Sequence, residues 1–80
     1  MKIKLTTKFN VGDAVYITEH YNEFYASKDP WTITDIFIQI NKYKTNILYG
    51  IKNGNCTDKI HEGWLFATYE ECTKWCEDHN

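Results

Sequence analysis

Alternation of apolar and polar residues organises the chain from residue 9 to residue 67. Val15 and Ile17 alternate with Ala14, Tyr16 and Thr18, the period of two that marks a half-buried strand over Val11–Thr18. Gly12-Asp13 supplies the turn chemistry at its start. A polar and aromatic connection runs from Glu19 to Pro30, and Pro30 biases Asp29 toward extended backbone, so that a new strand enters at Trp31. Trp31–Asn41 is dense in β-branched and aromatic residues, but its apolar positions change parity. Trp31 and Ile33 share one phase, and Ile36, Ile38 and Ile40 share the other. A strand that keeps one buried face changes phase only through a bulge or sharp bend, expected here near Thr34-Asp35.

Asn41-Lys42-Tyr43-Lys44 reads as a hairpin loop, after which Ile47, Tyr49 and Ile51 alternate on a return strand. Asn53-Gly54 is a two-residue turn signal, because both residues tolerate positive φ, and Cys56–His61 is the strand that follows it. Four or five short strands at this spacing predict a small all-β barrel over residues 9–67. The period changes at Thr68. Thr68-Tyr69-Glu70-Glu71 is a capping box, and Cys72, Trp75, Cys76 and His79 follow the i, i+3, i+4, i+7 spacing of one helical face, which predicts a helix over residues 68–79. Residues 1–8, with Ile3 and Leu5 on one face, are expected as an N-terminal strand or a loose basic arm.

Composition narrows the picture. Eighty residues with three Trp, six Tyr and four Phe make one small domain, rich enough in large apolar groups to order itself and too short for a thick core. No apolar run is long enough to span a bilayer as a helix, and the first residues lack the apolar region and cleavage site of a signal peptide. Three cysteines, an odd count, fit reduced thiols better than a disulfide framework and point to a cytoplasmic protein. Residues 1–61 carry eight lysines against six acids, whereas residues 62–80 carry one lysine against five acids. A mildly basic barrel with an acidic helix is a weak field beside that of a dedicated nucleic-acid binder.

Four stretches carry a resemblance: Phe9-x-Val11-Gly12-Asp13-x-Val15-Tyr16; Trp31-x-Ile33-x-x-Ile36; Ile47-x-Tyr49-x-Ile51; and Leu65-Phe66-Ala67-Thr68-x-Glu70-Glu71. Together they resemble small SH3-like barrel proteins encoded by phage, mobile elements and Firmicutes-type open reading frames. The resemblance spans about residues 8–76 and implies a mainly β domain, a strongly bent five-stranded SH3-like barrel whose short C-terminal α-helix covers one open end. Neither the F-x-VGD-x-V opening nor the LFAT-x-EE junction is a catalytic signature. The family often has small or aliphatic residues where Cys72, Trp75 and Cys76 stand, which implies a packing role for those three.

The chemistry-bearing residues point the same way. Cys56, His61, Cys72, Cys76 and His79 have C-x₄-H and C-x₃-C-x₂-H spacings, neither of them a usual zinc knuckle, so no metal is expected. Cys56 and His61 have opposite parity on one strand, Cys76 and His79 sit at a helix end, and Glu70-Glu71 and Glu77-Asp78 are splayed by adjacency. No Gly-rich phosphate loop or nucleophile elbow occurs, and neither an enzyme nor a cofactor is expected. Lys42, Lys44 and Lys52, with Tyr43 and Tyr49 and no acid between Phe37 and Thr57, form the strongest case for RNA or DNA binding. The absence of Arg argues against it, since the planar guanidinium fork matches phosphate and guanine bidentately in a way the compact Lys ammonium does not.

Protein binding is the remaining class. Tyr21, Phe24 and Tyr25 in the 19–30 connection bring large contact area at low rotamer entropy, and Lys42, Tyr43 and Lys44 at the hairpin loop can steer an encounter. Trp31 is expected to plug the barrel, and Phe9, Phe37, Tyr49, Phe66 and Trp75 to serve the barrel and helix. The sequence-level expectation is a non-catalytic module that binds a protein stoichiometrically. The resemblance to phage-type chains implies an inhibitor or modulator of a host complex, such as a defence nuclease. The alternatives are a nucleic-acid-binding module using the lysines of residues 42–59, and an assembly protein that forms homo-oligomers through a sheet edge.

Overall fold

A computed structural model describes residues 6–80. The strand or arm expected over residues 1–8 lies mostly outside the described residues, and residues 6–8 carry no strand.

Four strands form an antiparallel sheet in the order β1 (Ala14–Val15), β4 (Trp31–Ile40), β5 (Thr45–Asn53), β6 (Cys56–His61). A separate hairpin pairs β2 (Thr18–Tyr21) with β3 (Glu23–Ala26). A 3₁₀ turn over Glu62–Trp64 follows β6, and the helix α1 (Tyr69–His79) closes the chain. The domain is mainly β: a curled half-barrel with one C-terminal helix.

The bulge lies where the parity change requires it. Register between β4 and β5 slips between Ile33 and Asp35, so Ile33 faces Ile51 while Ile36 faces Tyr49 and Ile38 faces Ile47. The extra residue, Thr34, crowds the strand opposite. A Cβ at Gly50 would stand 3.0 Å from Asp35 Oδ2 and 3.2 Å from Thr34 Oγ1, which explains a buried glycine in the middle of β5.

Phe9, Val15, Ile33, Tyr49, Ile51 and Leu65 make the core, flanked by the half-buried Ile17, Trp31, Ile36, Ile47 and Ile60. Phe9 meets the Tyr49 ring edge-on at 5.6 Å. Tyr49 carries a hydroxyl into this core, and it is satisfied: the hydroxyl donates to Glu62 and accepts from Phe9 N–H at 3.3 Å. Burial, and then the Glu62 hydrogen bond, push the Tyr49 phenol above its ordinary pKa.

Three expectations are corrected. The strand expected over Val11–Thr18 is only Ala14–Val15, because its residues are shared among partners. A turn closes over Asn10–Asp13, with Gly12 at φ 97°, and docks on Ile33 through Gly12 N–H (2.8 Å) and Asp13 C=O (2.9 Å). Tyr16 then pairs with Phe66 instead of β4, and Ile17 with Ser27. The 19–30 connection is not a loop throughout: β2 and β3 occupy it as far as Ala26 and reverse at Asn22, whose φ is 65°. The turn read at Asn53-Gly54 is one residue later, with Asn53 and Cys56 paired and Gly54 at φ 59°. Phe37 also departs from its expected place. It lies on the sheet's outer face opposite Leu48, exposed, with Lys59 Nζ 4.2 Å from its ring centroid.

The helix starts at the expected N-cap, with Thr68 Oγ1 accepting from Glu71 N–H at 3.1 Å. Its buried face is Cys72 and Cys76, with Trp75 half-buried beside them.

Candidate binding surfaces

The β2–β3 hairpin has two chemically distinct faces. Its register pairs Thr18 with Ala26 and His20 with Phe24, and between them Glu19 with Tyr25 and Tyr21 with Glu23. In a two-stranded ribbon, opposed residues share a face. Thr18, His20, Phe24 and Ala26 therefore lie on one side and Glu19, Tyr21, Glu23 and Tyr25 on the other.

The first side is anchored. Phe24 meets Trp75 of α1 edge-on at 5.1 Å and packs on His20 at 4.7 Å, while His79 stacks on Trp75 at 3.9 Å. Trp64 and Phe66 complete the cluster around Trp75 at 5.6 and 6.2 Å. The Asn80 side chain binds Phe24 like a neighbouring strand, accepting from its N–H at 2.6 Å and donating to its C=O at 2.9 Å. Ile17 and Ser27 close the hairpin at its base through Ser27 N–H to Ile17 C=O (2.7 Å) and Ile17 N–H to Ser27 Oγ (3.1 Å). The second side faces solvent: Tyr21 is 72 % and Tyr25 48 % exposed, with Glu19 and Glu23 exposed beside them.

The β4–β5 tip is the other surface. Asn41 Oδ1 accepts from the N–H groups of Tyr43 (2.8 Å) and Lys44 (3.0 Å), an Asx-type turn that fixes the loop. Tyr43 stands 86 % exposed between Lys42 and Lys44, with Lys42 Nζ 5.7 Å from its ring centroid. Of the residues singled out in the sequence, the structure thus brings Tyr21 and Tyr25 together on one face. It turns Phe24 inward to hold that face in place, and sets Lys42, Tyr43 and Lys44 on a different hairpin. Glu19 and Glu23 were not singled out. Their signal was the alternation Glu19-x-Tyr21 and Glu23-x-Tyr25 on either side of Asn22, a residue at home in a tight turn.

The cysteines and histidines are dispersed. Cys56 is exposed, while Cys72 and Cys76 are buried. Cys72 Sγ lies 3.5 Å from Ile17 C=O, at the entry to β2. Burial first, and the adjacent Cys76 second, push the Cys72 thiol up to about 12, and burial raises Cys76 as well. His61 Nδ1 accepts from Gly63 N–H at 3.2 Å and so caps the 3₁₀ turn, and His79 Nδ1 lies 2.7 Å from Trp75 C=O. Among the described residues, no three His, Cys, Asp or Glu side chains converge. No helix among them is long and apolar enough to cross a membrane.

Comparison of the chain with protein-family models, with curated proteins and with solved structures finds no match.

Proposed function

We propose that the chain is a five-stranded SH3-like barrel that acts by stoichiometric, non-catalytic binding to a protein through the outer face of β2–β3. The barrel reading is supported by the strand order β1-β4-β5-β6 and by the 3₁₀ turn before Leu65-Phe66. The two bonds between Phe66 and Tyr16 (2.9 and 3.0 Å) support Leu65–Ala67 as a short closing strand.

The observation that carries the binding reading is the placement of Tyr21 and Tyr25, exposed beside Glu19 and Glu23, on a hairpin whose other face is fixed to α1. A pre-anchored hairpin has little ordering entropy left to lose on binding. Two phenol rings flanked by carboxylates fit a partner surface that carries Lys or Arg, which the rings contact through their faces and the carboxylates through charge. Surfaces that bind nucleic acid are basic, so a nuclease is the class of host complex that such a face suits. Together with the resemblance to phage-type barrels, this supports an inhibitor or modulator in the cytoplasm of a bacterium.

A second reading, direct binding of RNA or DNA, is favoured by Tyr43, which stands exposed between Lys42 and Lys44. Two double variants separate the readings. Tyr21→Ser with Tyr25→Ser is expected to keep the unfolding midpoint and lose the partner captured from bacterial lysate. Lys42→Glu with Lys44→Glu is expected to keep that partner. The proposal is overturned if the chain retards bare nucleic acid in a way that collapses between low and physiological salt and the lysine variant abolishes it.

A further inference from the structure

The distal half of β4 presents an open sheet edge of unusual character. Asn41 N–H donates to Lys44 C=O at 3.0 Å, which makes Asn41 and Lys44 a hydrogen-bonded pair. Stepping back along the register, Gln39/Asn46, Phe37/Leu48 and Asp35/Gly50 are then the bonded pairs. Ile40/Thr45, Ile38/Ile47 and Ile36/Tyr49 are the non-bonded ones. The backbone N–H and C=O groups of Ile36, Ile38 and Ile40 therefore turn away from β5. Ile33 fixes the same phase from the other end: its N–H binds Asp13 and its C=O binds Gly12, both on the side away from β5.

Nothing among the described residues takes up this edge beyond Ile33, since β1 pairs only with Trp31 and Thr32. From Ile36 to Asn41 the edge carries no charge and no proline, the usual guards against pairing with another chain. By contrast, β6, at the other end of the sheet order, carries Asp58 and Lys59, and the β3 edge is capped at Phe24 by Asn80.

We infer that this edge pairs with the same edge of a second copy, antiparallel, about a two-fold axis through Ile38. The edge is self-complementary in that one register. Ile38 faces Ile38 of the second copy and Ile36 faces its Ile40, so every outward N–H and C=O of the three isoleucines meets a partner. The side chains of Ile36, Ile38 and Ile40 share one face, and the two copies set six of them side by side. Ile38 and Ile40, exposed in the single chain, gain apolar neighbours. On the opposite face Phe37 meets Gln39 of the second copy, and like charges never oppose. Asp35, the one charged residue of β4, falls opposite Asn41 of the second copy, beside its Lys42 and Lys44. Sheet-edge addition between identical strands is a recognised mode of association. The residues of this contact, Ile36–Asn41, are not those of the β2–β3 face.

The ladder is short beside a standard interface of about 1,600 Å², so the association is weak and is to be sought up to several hundred micromolar. Light scattering is expected to show the molar mass of the chain doubling across that range. Ile38→Pro removes an outward N–H without taking a bond from β5 and is expected to abolish the doubling, as is Ile40→Lys. Both variants are checked for an unchanged circular dichroism spectrum.

Cross-linking fixes the register. In a Cys56→Ser background, Ile38→Cys places two thiols at a bonded pair with Cα atoms about 5.5 Å apart, within disulfide reach, and is expected to oxidise to a covalent dimer. Gln39→Cys, whose counterpart is two residues out of register, is expected not to. A chain that stays monomeric at the highest concentration overturns the proposal. So does a dimer that folded Ile38→Pro leaves intact, or one that Gln39→Cys cross-links as readily as Ile38→Cys.

Discussion

The hairpin β2–β3 and the distal part of β4–β5 are both antiparallel ribbons with alternating side chains, yet they meet different surroundings. On β2–β3, the face with His20 and Phe24 lies against α1, where Trp75 and the Asn80 amide hold it. On β4–β5, the core stripe Ile33/Ile51 and Ile36/Tyr49 continues as Ile38/Ile47 and Ile40/Thr45, where Ile47 still packs on the core but Ile38 and Ile40 are exposed among the described residues. Alternation reports the pleat and which residues share a face. Coverage is a separate matter, decided by which other element reaches that face.

The largest expected effect is within β4 itself. Ile33 is 1 % exposed in the core and Ile40 49 % exposed near the tip, on the same strand and the same side of the sheet. Ile33→Ala removes buried methyl groups and leaves a cavity, and is expected to cost about 2–4 kcal/mol in urea unfolding. Ile40→Ala, measured at low protein concentration, is expected to cost less than about 1 kcal/mol. Equal costs would show that the distal face is covered in the single chain and would remove the contrast.

Much of this was legible in the residues. The parity change between Ile33 and Ile36 fixed the bulge, the Thr68 capping box fixed the start of α1, and Asn41–Lys44 fixed the hairpin loop. What was not legible depended on non-local partners. Tyr16 leaves β4 for Phe66, fifty residues later, so an alternating run became a two-residue strand. Phe37 is as apolar as its neighbours but belongs to the outer face, where Lys59 covers it. The 19–30 segment hid a hairpin because its inner face is paid for by Trp75 and Asn80, at the far end of the chain. The two tyrosines were visible as candidates. Their pairing with Glu19 and Glu23 required the register.

A second effect bears on the joint between α1 and the entry to β2. Cys72 is fully buried and lies against Ile17 C=O, and burial holds its thiol up at about 12 against an ordinary value of 9. A raised folded-state pKa favours the protonated form in the fold. The stabilisation is complete below the unfolded value, about pH 9, and is lost progressively as pH rises from there toward 12. Under reducing conditions the urea midpoint is expected to fall above pH 9. Near pH 10 the Cys72 contribution corresponds to roughly a tenfold rise in the unfolding equilibrium constant. Cys76 and Tyr49, also raised, add to the slope. Cys72→Ala is expected to flatten it, and the comparison is of slopes, since the substitution also lowers the midpoint at every pH. An unchanged slope would place the alkaline sensitivity elsewhere.

The smallest effect is the most local. Asn80 holds the edge of β3 with two hydrogen bonds from one amide, at 2.6 and 2.9 Å, where solvent competes for both groups. Asn80→Ala is expected to cost about 1 kcal/mol or less in global stability, because water replaces each lost partner. The hairpin should register the change more than the core does. The Phe24 amide, which donates to Asn80 Oδ1, is expected to exchange its hydrogen several-fold faster, while the amides of Tyr49 and Ile51 in the core keep their protection. Asn80→Asp is the sharper variant: it retains the acceptor for Phe24 N–H and sets a carboxylate against Phe24 C=O in place of a donor. Phe24 exchange between that of the wild type and that of Asn80→Ala would assign the anchoring to both bonds. Exchange at Phe24 that none of these changes accelerates would mean that packing, with Phe24 on Trp75 and Cys72 against Ile17, holds β2–β3 on the helix without the Asn80 amide.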